Sequence, residues 1–369
     1  MLARFVALLS LAAAIAWCGD WNPKLAEQYL DSRQKAWIAW PNATASGVAC
    51  VSCHTGLPYL VARPALRHAL NENSPTLYEG VLVASMRATV IRTDANDLFH
   101  GLKGKIVDQV YGAQVVLSAL VLAMDDAQRG RMSPEGEKAF ERLWSLQTHE
   151  GPGKGGWQWS NFDLDPWETA DAEYYGVALA ALATGIAPGG YQARPEIREN
   201  VAAMRTYLLN GLNSTPLHNR LFLLWASGKL HGLLPENERK AILDDAWKKQ
   251  EADGGWTLES LGQWKKRADA PASNGSNSYA TAVATLAIEE SGAASGAGLA
   301  RALAWLRSHQ DPESGRWMAD SMNHPHEAGS MPALFMSDAA TGYATAALLA
   351  ADHAPHQHGQ PTAKAGANR

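Results

Sequence analysis

The sequence contains three cysteines, and two of them lie in the short run Cys50-Val51-Ser52-Cys53-His54. This C-x-x-C-H spacing is typical of the segment that attaches a c-type haem, because two thiols must reach the two vinyl groups of one porphyrin edge. The adjacent imidazole then binds the iron as an axial ligand. We therefore expect one covalent haem c, with Cys50 and Cys53 as its attachment points and His54 as the iron ligand.

Three other chemistries also use closely spaced cysteines: a structural disulfide, a dithiol redox pair and half of a zinc site. A zinc site would need further Cys or His ligands at regular spacing, and the sequence has no second C-x-x-C. The disulfide and the dithiol pair stay open as alternatives to haem attachment.

The second axial ligand of the iron is not evident from the sequence. Methionine in that position would give a higher potential than a second histidine. Met86 also fits the apolar face of its helix, and His68 also fits an exposed helical position. The nearest candidates are His68, Met86 and His100, and the candidates in a later loop are Met322, His324, His326 and Met331.

The first residues have the pattern of a secretory signal peptide. Arg4 precedes an uncharged run over residues 5–17, and Ala14-Ile15-Ala16 provides the small residues of a cleavage site. We expect residues 1–16 to be removed and the protein to be periplasmic or extracellular, where thioether attachment of haem takes place. Lipid attachment at Cys18 is an alternative, although Trp17 is unfavourable just before the cleaved bond.

Composition excludes some partners. The 369 residues carry a net charge of -5 and only 19% charged residues, without the basic stripe that nucleic-acid binding requires. The leader run is too short to span a bilayer, and we expect no transmembrane segment. Residues 353–369 lack large apolar side chains, so we expect a disordered tail, in which His353, His356 and His358 could bind a stray metal ion.

The rest of the chain predicts an all-α fold, because helical segments alternate with Gly/Pro-rich turns and strand-like alternation is nearly absent. Charged and apolar helices alternate, which predicts a two-layered α/α toroid of five to six helix pairs over 101–352. A small helical segment with the haem motif, over 17–100, precedes it. The charged set covers 134–147, 193–210, 236–250 and 296–309; the apolar set covers 104–124, 169–184, 215–228, 277–292 and 337–351; earlier helices cover 23–40 and 75–92. Helix starts are expected at Ser74-Pro75, Ser133-Pro134 and Thr215-Pro216.

Three charged helices end in related sequences, in which a Gln is followed by a Gly-rich turn and a Trp. A Gln amide can satisfy an exposed helix terminus while the Trp packs on the turn, so the motif should join neighbouring outer helices. The pairs are Gln147 with Trp157, Gln250 with Trp256, and Gln310 with Trp317.

These motifs resemble the QW repeats of squalene-hopene cyclases, and the toroid is shared with protein prenyltransferases. The resemblance covers about residues 104–351. With its C-x-x-C-H segment, the whole chain looks like bacterial exported proteins that join such a segment to a cyclase-like toroid. The cyclases protonate an alkene with Asp-x-Asp-Asp, and the nearest match, at Asp125 and Asp126, lacks the first Asp. Prenyltransferases bind zinc partly through Cys, which this toroid lacks.

In a toroid the N-terminal ends of the inner helices surround the mouth of a cavity. Glu168 and Asp171, at i and i+3, would point the same way and could form a coupled acid pair, whereas helix capping is the alternative. The candidate lining residues are Trp167, Glu168, Asp171, Tyr174, Asn274, Asn277, Tyr279, Asp338 and Tyr343.

The leading hypothesis is an exported c-type haem protein that acts in electron transfer or a haem-linked redox step, with a redox partner protein. The second is a cyclase-type enzyme acting on an isoprenoid or other apolar substrate, with Glu168 and Asp171 as its acids. The third is a non-catalytic toroid that binds an apolar small molecule and has a disulfide between Cys50 and Cys53.

Overall fold

The computed structural model describes residues 21–45, 47–92, 103–270, 275–292 and 296–353. The expected signal peptide, Cys18, His100, Asn274 and the tail after His353 lie outside these residues. Within them the protein is mostly helical, and its one small sheet pairs β1 (Thr44–Ala45) with β2 (Val48–Ala49) in antiparallel register. The all-α prediction is therefore confirmed.

The helices lie close to their predicted positions, with two additions, α2 and the short α10 (Leu258–Leu261). The helix α2 covers most of the stretch between the cysteine motif and residue 70, where the sequence indicated only a short helical segment. The helices are α1 (Pro23–Ala39), α2 (Gly56–Ala69), α3 (Leu77–Ile91), α4 (Lys105–Arg129), α5 (Pro134–Ser145), α6 (Ala172–Ile186), α7 (Arg198–Gly211), α8 (Leu217–Lys229), α9 (Glu236–Lys248), α10 (Leu258–Leu261), α11 (Ser278–Glu290), α12 (Ala297–Ser308) and α13 (Phe335–His353).

The helix starts follow local capping chemistry. Ser133 caps α5 and Pro134 occupies its first position, as predicted. The prediction at Ser74-Pro75 is wrong by two residues, because Thr76 forms a capping box with Glu79 and so begins α3 at Leu77. The prediction at Thr215-Pro216 is wrong by one, since Pro216 is itself the N-cap residue of α8.

Six helices, which we call the inner helices, pack in series. Contacts run from α4 through α6, α8 and α11 to α13 and then to α2. The inner helices are rich in Ala, Leu and Thr, and nearly every residue of α6 and α11 is buried. The other long helices, which we call the outer helices, each pack on one or two inner helices: α1, α3, α5, α7, α9 and α12.

The Gln-Trp motifs join outer helices that are adjacent in space. The Nε2 group of Gln147 donates to the carbonyl of Gly155 in its own turn and to that of Asn200 in α7, both at 3.0 Å. Gln250 does the same with Gly254 and with Gly298 in α12, at 2.8 Å. These contacts agree with the joining role that the sequence predicted for the motif.

The third Gln-Trp motif joins the turn after α12 to the start of α1. Gln310, after α12, donates to the carbonyl of Asn22 at 3.0 Å and accepts from its N–H at 2.6 Å. Asn22 is the N-cap residue of α1. Gly315 in the same turn has a positive φ of 76°, and a Cβ there would lie 2.4 Å from the backbone of Leu25, so only glycine allows this approach. The last outer helix is thereby fastened to the first.

Candidate functional site

A cavity of about 270 Å³ brings together several residues that the sequence singled out. Cys50, Cys53, His54 and Glu168 all border it. Its walls also include Trp37, Gln114, Trp159 and Phe162. Cys50 and Cys53 are free thiols, Cys50 exposed toward the cavity and Cys53 buried in its wall.

The backbone of the cysteine motif is fixed from both sides. Cys50 follows β2, and its carbonyl accepts a hydrogen bond of 2.8 Å from Nε1 of Trp37 in α1. The hydroxyl of Ser52 accepts from the N–H groups of Thr55 at 3.0 Å and Gly56 at 3.2 Å. These bonds turn the chain directly into α2, so that His54 lies just before the first turn of an inner helix.

A relay of hydrogen bonds determines which nitrogen of His54 carries the proton. The hydroxyl of Thr55 donates to Oδ2 of Asp338 at 2.8 Å. That hydroxyl has a single proton, so it accepts from Nδ1 of His54, which lies 2.8 Å away. The neutral ring is then protonated at Nδ1 and has its lone pair at Nε2, the form that a metal ligand requires.

Asp338 is itself held by two buried donors. Arg33 donates from Nε to Oδ1 at 2.7 Å and from Nη2 to Oδ2 at 3.0 Å, and the Tyr29 hydroxyl donates to Oδ1 at 2.9 Å. Burial raises the pKa of Asp338, and Arg33 opposes that rise. With a two-pronged guanidinium contact and two hydroxyl donors, we assign Asp338 as the charged carboxylate. The group that orients His54 is therefore a neutralised buried ion pair.

Aromatic rings enclose the imidazole. Phe335, the first residue of α13, stacks on His54 with 3.6 Å between ring centroids and 19° between planes. Trp37 meets it edge-on at 5.1 Å, and Trp167 lies at 5.9 Å. This burial lowers the pKa of His54 to about 3, with a further contribution from Arg33, so the ring is neutral at physiological pH.

The pKa values of the two thiols are raised, whereas those of a reactive dithiol are lowered. Burial raises the pKa of Cys50 to about 12 and that of Cys53 well above its usual range, and Glu168 raises both further. Reactive cysteines have a lowered pKa because the thiolate is the nucleophile. The surroundings therefore disfavour the dithiol redox alternative. Burial also raises the pKa of Glu168 to about 7.

The expected acid pair of Glu168 and Asp171 is not formed. The helix α6 begins at Ala172, three residues later than predicted, because Glu168 pairs with Leu164 through backbone hydrogen bonds in the preceding turn. The Glu168 side chain borders the cavity, whereas Asp171 is exposed and accepts from Thr169 at 2.6 Å. Asp171 does not cap α6 through its side chain either.

The candidates for a second iron ligand lie away from the cavity wall. His68 lies near the far end of α2. At a rise of 1.5 Å per residue it is about 18 Å along the helix axis from the first residue of α2, so it cannot bind the same iron as His54. Met86 is buried behind the wall, where its sulfur accepts from Gln114 at 3.4 Å and Ser118 at 3.5 Å. Of the described candidates, none borders the cavity: His68, Met86, Met322, His324, His326 and Met331.

Most of the other predicted lining residues are structural. Tyr279 and Tyr343 are fully buried, because aromatic side chains fill the space between the inner helices. Asn277 caps α11, Trp167 is buried beside His54, and Tyr174 donates its hydroxyl to the Leu208 carbonyl at 2.8 Å, facing an outer helix. Of the predicted lining residues within the described ranges, only Glu168 borders the cavity beside His54, so the prediction is wrong for the others: Trp167, Asp171, Tyr174, Asn277, Tyr279, Asp338 and Tyr343.

Three polar residues were not singled out from the sequence: Arg33 and Thr55, which orient His54, and His218, which lies outside this cavity. Arg33 was detectable, since it lies four residues from both Tyr29 and Trp37 and so interrupts the apolar face of α1 with a charge. His218 stands beside Asn219 and Arg220 near the start of α8, so it gave no distinct signal. Thr55 had no such signal, because its partner Asp338 is 283 positions away.

The aspartates at the end of α4 have a structural role. Asp126 is fully buried and accepts from the N–H of Ser133 at 2.8 Å and from its hydroxyl at 3.0 Å. Asp125 is paired with Arg87 at 2.8 Å. Asp126 thus supports the start of α5 instead of supplying a proton to a substrate.

In the described part of the chain, no group of three or more His, Cys, Asp or Glu residues is placed to hold a metal ion. One helix, α4, is long and apolar enough to cross a membrane, and most of it is buried against other helices. Comparison with known proteins gave no matching family model and no matching curated protein.

The residues at the cavity fit a c-type haem. Two free thiols at the required spacing and an imidazole with its Nε2 lone pair available border the same space. The two thiols are the groups that form thioether bonds to the haem vinyls, and the imidazole nitrogen is the group that binds the iron.

Proposed function

We propose that the protein is an exported c-type haem protein that acts in electron transfer or a haem-linked redox step. The haem would be attached through Cys50 and Cys53, with His54 as its axial iron ligand. The single observation that carries this proposal is that both free thiols and the oriented imidazole of His54 border one cavity.

The proposal includes the architecture of the scaffold, a closed α/α toroid with six helix pairs. Its support is twofold. The contact series of the inner helices continues from α13 to α2, and Gln310 joins the last outer helix to the first through Asn22. On this basis α1 and α2 form the sixth pair, so the haem motif lies at the mouth of the toroid itself.

The bound haem would supply one-electron redox chemistry, and the chain's own residues would set its surroundings. Asp338 and Thr55 keep Nδ1 of His54 protonated, which directs the Nε2 lone pair outward. Phe335 and Trp37 cover the imidazole and exclude water from it. Glu168, whose pKa is near 7, can hold or release a proton at the cavity wall.

Absorption spectroscopy tests this proposal. The full-length protein would be produced in a host that matures c-type cytochromes, beside His54→Ala and the control His231→Ala, an exposed residue elsewhere. We expect the wild-type and the control to have the spectrum of a haem with imidazole ligation, and His54→Ala to lose that ligation. A wild-type protein without haem absorption, or an unchanged spectrum in His54→Ala, would refute it.

A second candidate function is binding of an apolar small molecule. A cavity of about 710 Å³ lies at the opposite ends of the inner helices, and residues from all six border it. Its wall includes Leu60, Met124, Trp225, Leu286 and Leu349. Titration with a fluorescent polyprene tests this function. Saturable binding that Leu286→Glu abolishes would support it, and binding unchanged in that variant would exclude this cavity.

A further inference from the structure

A buried histidine and a buried tyrosine form a short hydrogen bond in the middle of the fold. Nε2 of His218, in α8, lies 2.7 Å from the hydroxyl of Tyr279, in α11. Nε1 of Trp167 also lies 3.0 Å from that hydroxyl. The haem site described above uses neither His218 nor Tyr279.

The surrounding amide determines the direction of these bonds. Asn219 donates its amide N–H groups to the Asp171 carbonyl and the Thr215 hydroxyl, both at 3.0 Å. Its Oδ1 is therefore an acceptor, and it lies 2.8 Å from Nδ1 of His218. The proton of His218 is consequently on Nδ1, and Nε2 has a free lone pair.

Tyr279 therefore donates its phenolic proton to His218. Trp167 can only donate, so the oxygen of Tyr279 accepts from the indole while its own O–H points at Nε2. The distance of 2.7 Å is within the range over which a base can take up a proton, 2.6–3.2 Å in general. The arrangement is a phenol, a neutral base and a second donor that steadies the oxygen.

The pair is isolated from water. His218 and Tyr279 are fully buried. Phe222 and Tyr175 lie against the imidazole at 5.2 and 5.7 Å, and Trp264 meets it edge-on at 5.8 Å. Burial lowers the pKa of His218 to about 4, so the ring is uncharged and free to accept a proton at neutral pH.

An aromatic path connects this pair to the His54 cavity. The Trp167 ring lies 5.5 Å from the Tyr279 ring and 5.9 Å from the His54 ring. Trp167 thus touches the phenol through its N–H and faces the imidazole of the cysteine motif. An electron leaving Tyr279 toward the cavity would have one intervening ring.

We propose that Tyr279 is a one-electron redox site whose phenolic proton moves to His218. Tyr279 gives one electron to a high-potential one-electron oxidant, an oxidised metal complex, and its O–H bond breaks as the proton passes to Nε2. The products are a neutral tyrosyl radical, an imidazolium on His218 and the singly reduced oxidant. Re-reduction returns the electron to Tyr279 and the proton to its oxygen. That the oxidant sits in the His54 cavity rests on the proposed haem function, whereas the chemistry of Tyr279 does not.

Another buried tyrosine in this chain provides a matched comparison. The Tyr191 hydroxyl accepts from Nε1 of Trp144 at 2.8 Å, just as Tyr279 accepts from Trp167. Its ring faces Phe140 and the Arg194 side chain, and within the described ranges no histidine is hydrogen-bonded to its hydroxyl. Tyr191 thus has the indole contact without the base, so it separates the effect of His218 from that of burial.

The test uses the full-length protein made without haem maturation, so that failure to bind haem does not affect it. A photogenerated ruthenium(III) polypyridyl complex oxidises the protein, and electron paramagnetic resonance records the radical that persists after mixing. We expect a tyrosyl signal in the wild-type protein and in Tyr191→Phe, and its loss in Tyr279→Phe. His218→Phe should also lose the persistent signal, because the proton has no acceptor.

A second measurement keeps the proposal testable if His218→Phe does not fold. In deuterated buffer, the hyperfine spectrum of the wild-type radical should contain the couplings of two exchangeable deuterons hydrogen-bonded to the phenoxyl oxygen, the nearer on Nε2 of His218 and the other on Nε1 of Trp167. A persistent signal that is unchanged in Tyr279→Phe, or that couples to one such deuteron alone, would overturn the proposal.

Discussion

Thr55 donates a hydrogen bond of 2.8 Å to Asp338, across 283 positions of sequence, and this contact determines the tautomer of His54. Without the carboxylate, the hydroxyl could turn and offer its proton to Nδ1. The ring would then carry its own proton at Nε2, where a metal must bind. Through this contact α13 fixes the tautomer of His54 that the proposed iron ligation requires.

The first prediction concerns this relay. In Thr55→Val the shape of the side chain is kept and the hydroxyl is lost, so His54 should become a mixture of its two neutral tautomers. Nitrogen-15 chemical shifts of the imidazole measure this in the haem-free protein. Thr55→Ser keeps a hydroxyl and should keep the wild-type shifts. Identical shifts in wild-type and Thr55→Val would show that the hydroxyl does not select the tautomer.

The second prediction concerns the buried pair of Arg33 and Asp338. Asp338→Asn leaves the guanidinium buried without a counter-charge, so we expect a loss of about 3–5 kcal/mol in the free energy of unfolding. Urea denaturation measures it. The exposed pair of Lys138 and Glu141 is the control, and Glu141→Gln should change stability by about 1 kcal/mol or less. Equal losses in the two variants would contradict this assignment.

The third prediction concerns the closure between α12 and α1. Gln310→Ala removes the side chain that bonds both Asn22 and Gly315, at a cost of about 1–2 kcal/mol. Hydrogen exchange should become faster in α1. The matched variant Gln250→Ala breaks the equivalent bond to Gly298 and should accelerate exchange in α12 instead. The same exchange pattern in both variants would mean that the motif does not act locally.

The fourth prediction concerns pH and Glu289, near the end of α11. Burial raises the pKa of Glu289 to about 8 from its ordinary value of 4.5, with contributions from Glu290 and Asp352. Between these pH values Glu289 holds a proton in the folded protein and releases it in the unfolded chain, so its contribution to stability falls as the pH rises from 4.5 to 8. This single group contributes a slope of at most about 1.4 kcal/mol per pH unit.

Denaturation at several pH values checks this prediction. Relative to the wild-type protein, Glu289→Gln should gain stability progressively as the pH rises over that interval, and it should be the more stable of the two at pH 8. Glu313, which is exposed in a turn, provides the control, and Glu313→Gln should keep the wild-type slope. A Glu289→Gln variant with the wild-type slope would place the titrating group elsewhere.

Much of the fold could be predicted from the sequence because its signals are local. Apolar periodicity located the long helices, and Ser133-Pro134 gave the start of α5 to the residue. The Gln-Trp motifs indicated that neighbouring outer helices are joined, since the amide, the indole and the glycines all act within one turn. The length of α2 was missed, partly because Pro64 lies inside it.

The site was less predictable because its contacts are long-range. The spacing of Cys50, Cys53 and His54 singled out three residues that border one cavity, and Glu168 does reach the same cavity. The relay from Asp338 to Thr55 depends on α13 packing against α2, which no local pattern encodes. Glu168 and Asp171 do not form the predicted acid pair, because Glu168 lies in a backbone turn with Leu164 and α6 begins only at Ala172.

The intact mass of the full-length protein, produced in a host that matures c-type cytochromes, tests whether Cys50 and Cys53 bind haem covalently. We expect a mass increase of one haem, located on the peptide that contains both cysteines and absent from the Cys50→Ala, Cys53→Ala double variant. A protein matured under the same conditions with no added mass, and with Cys50 bonded to Cys53, would contradict it.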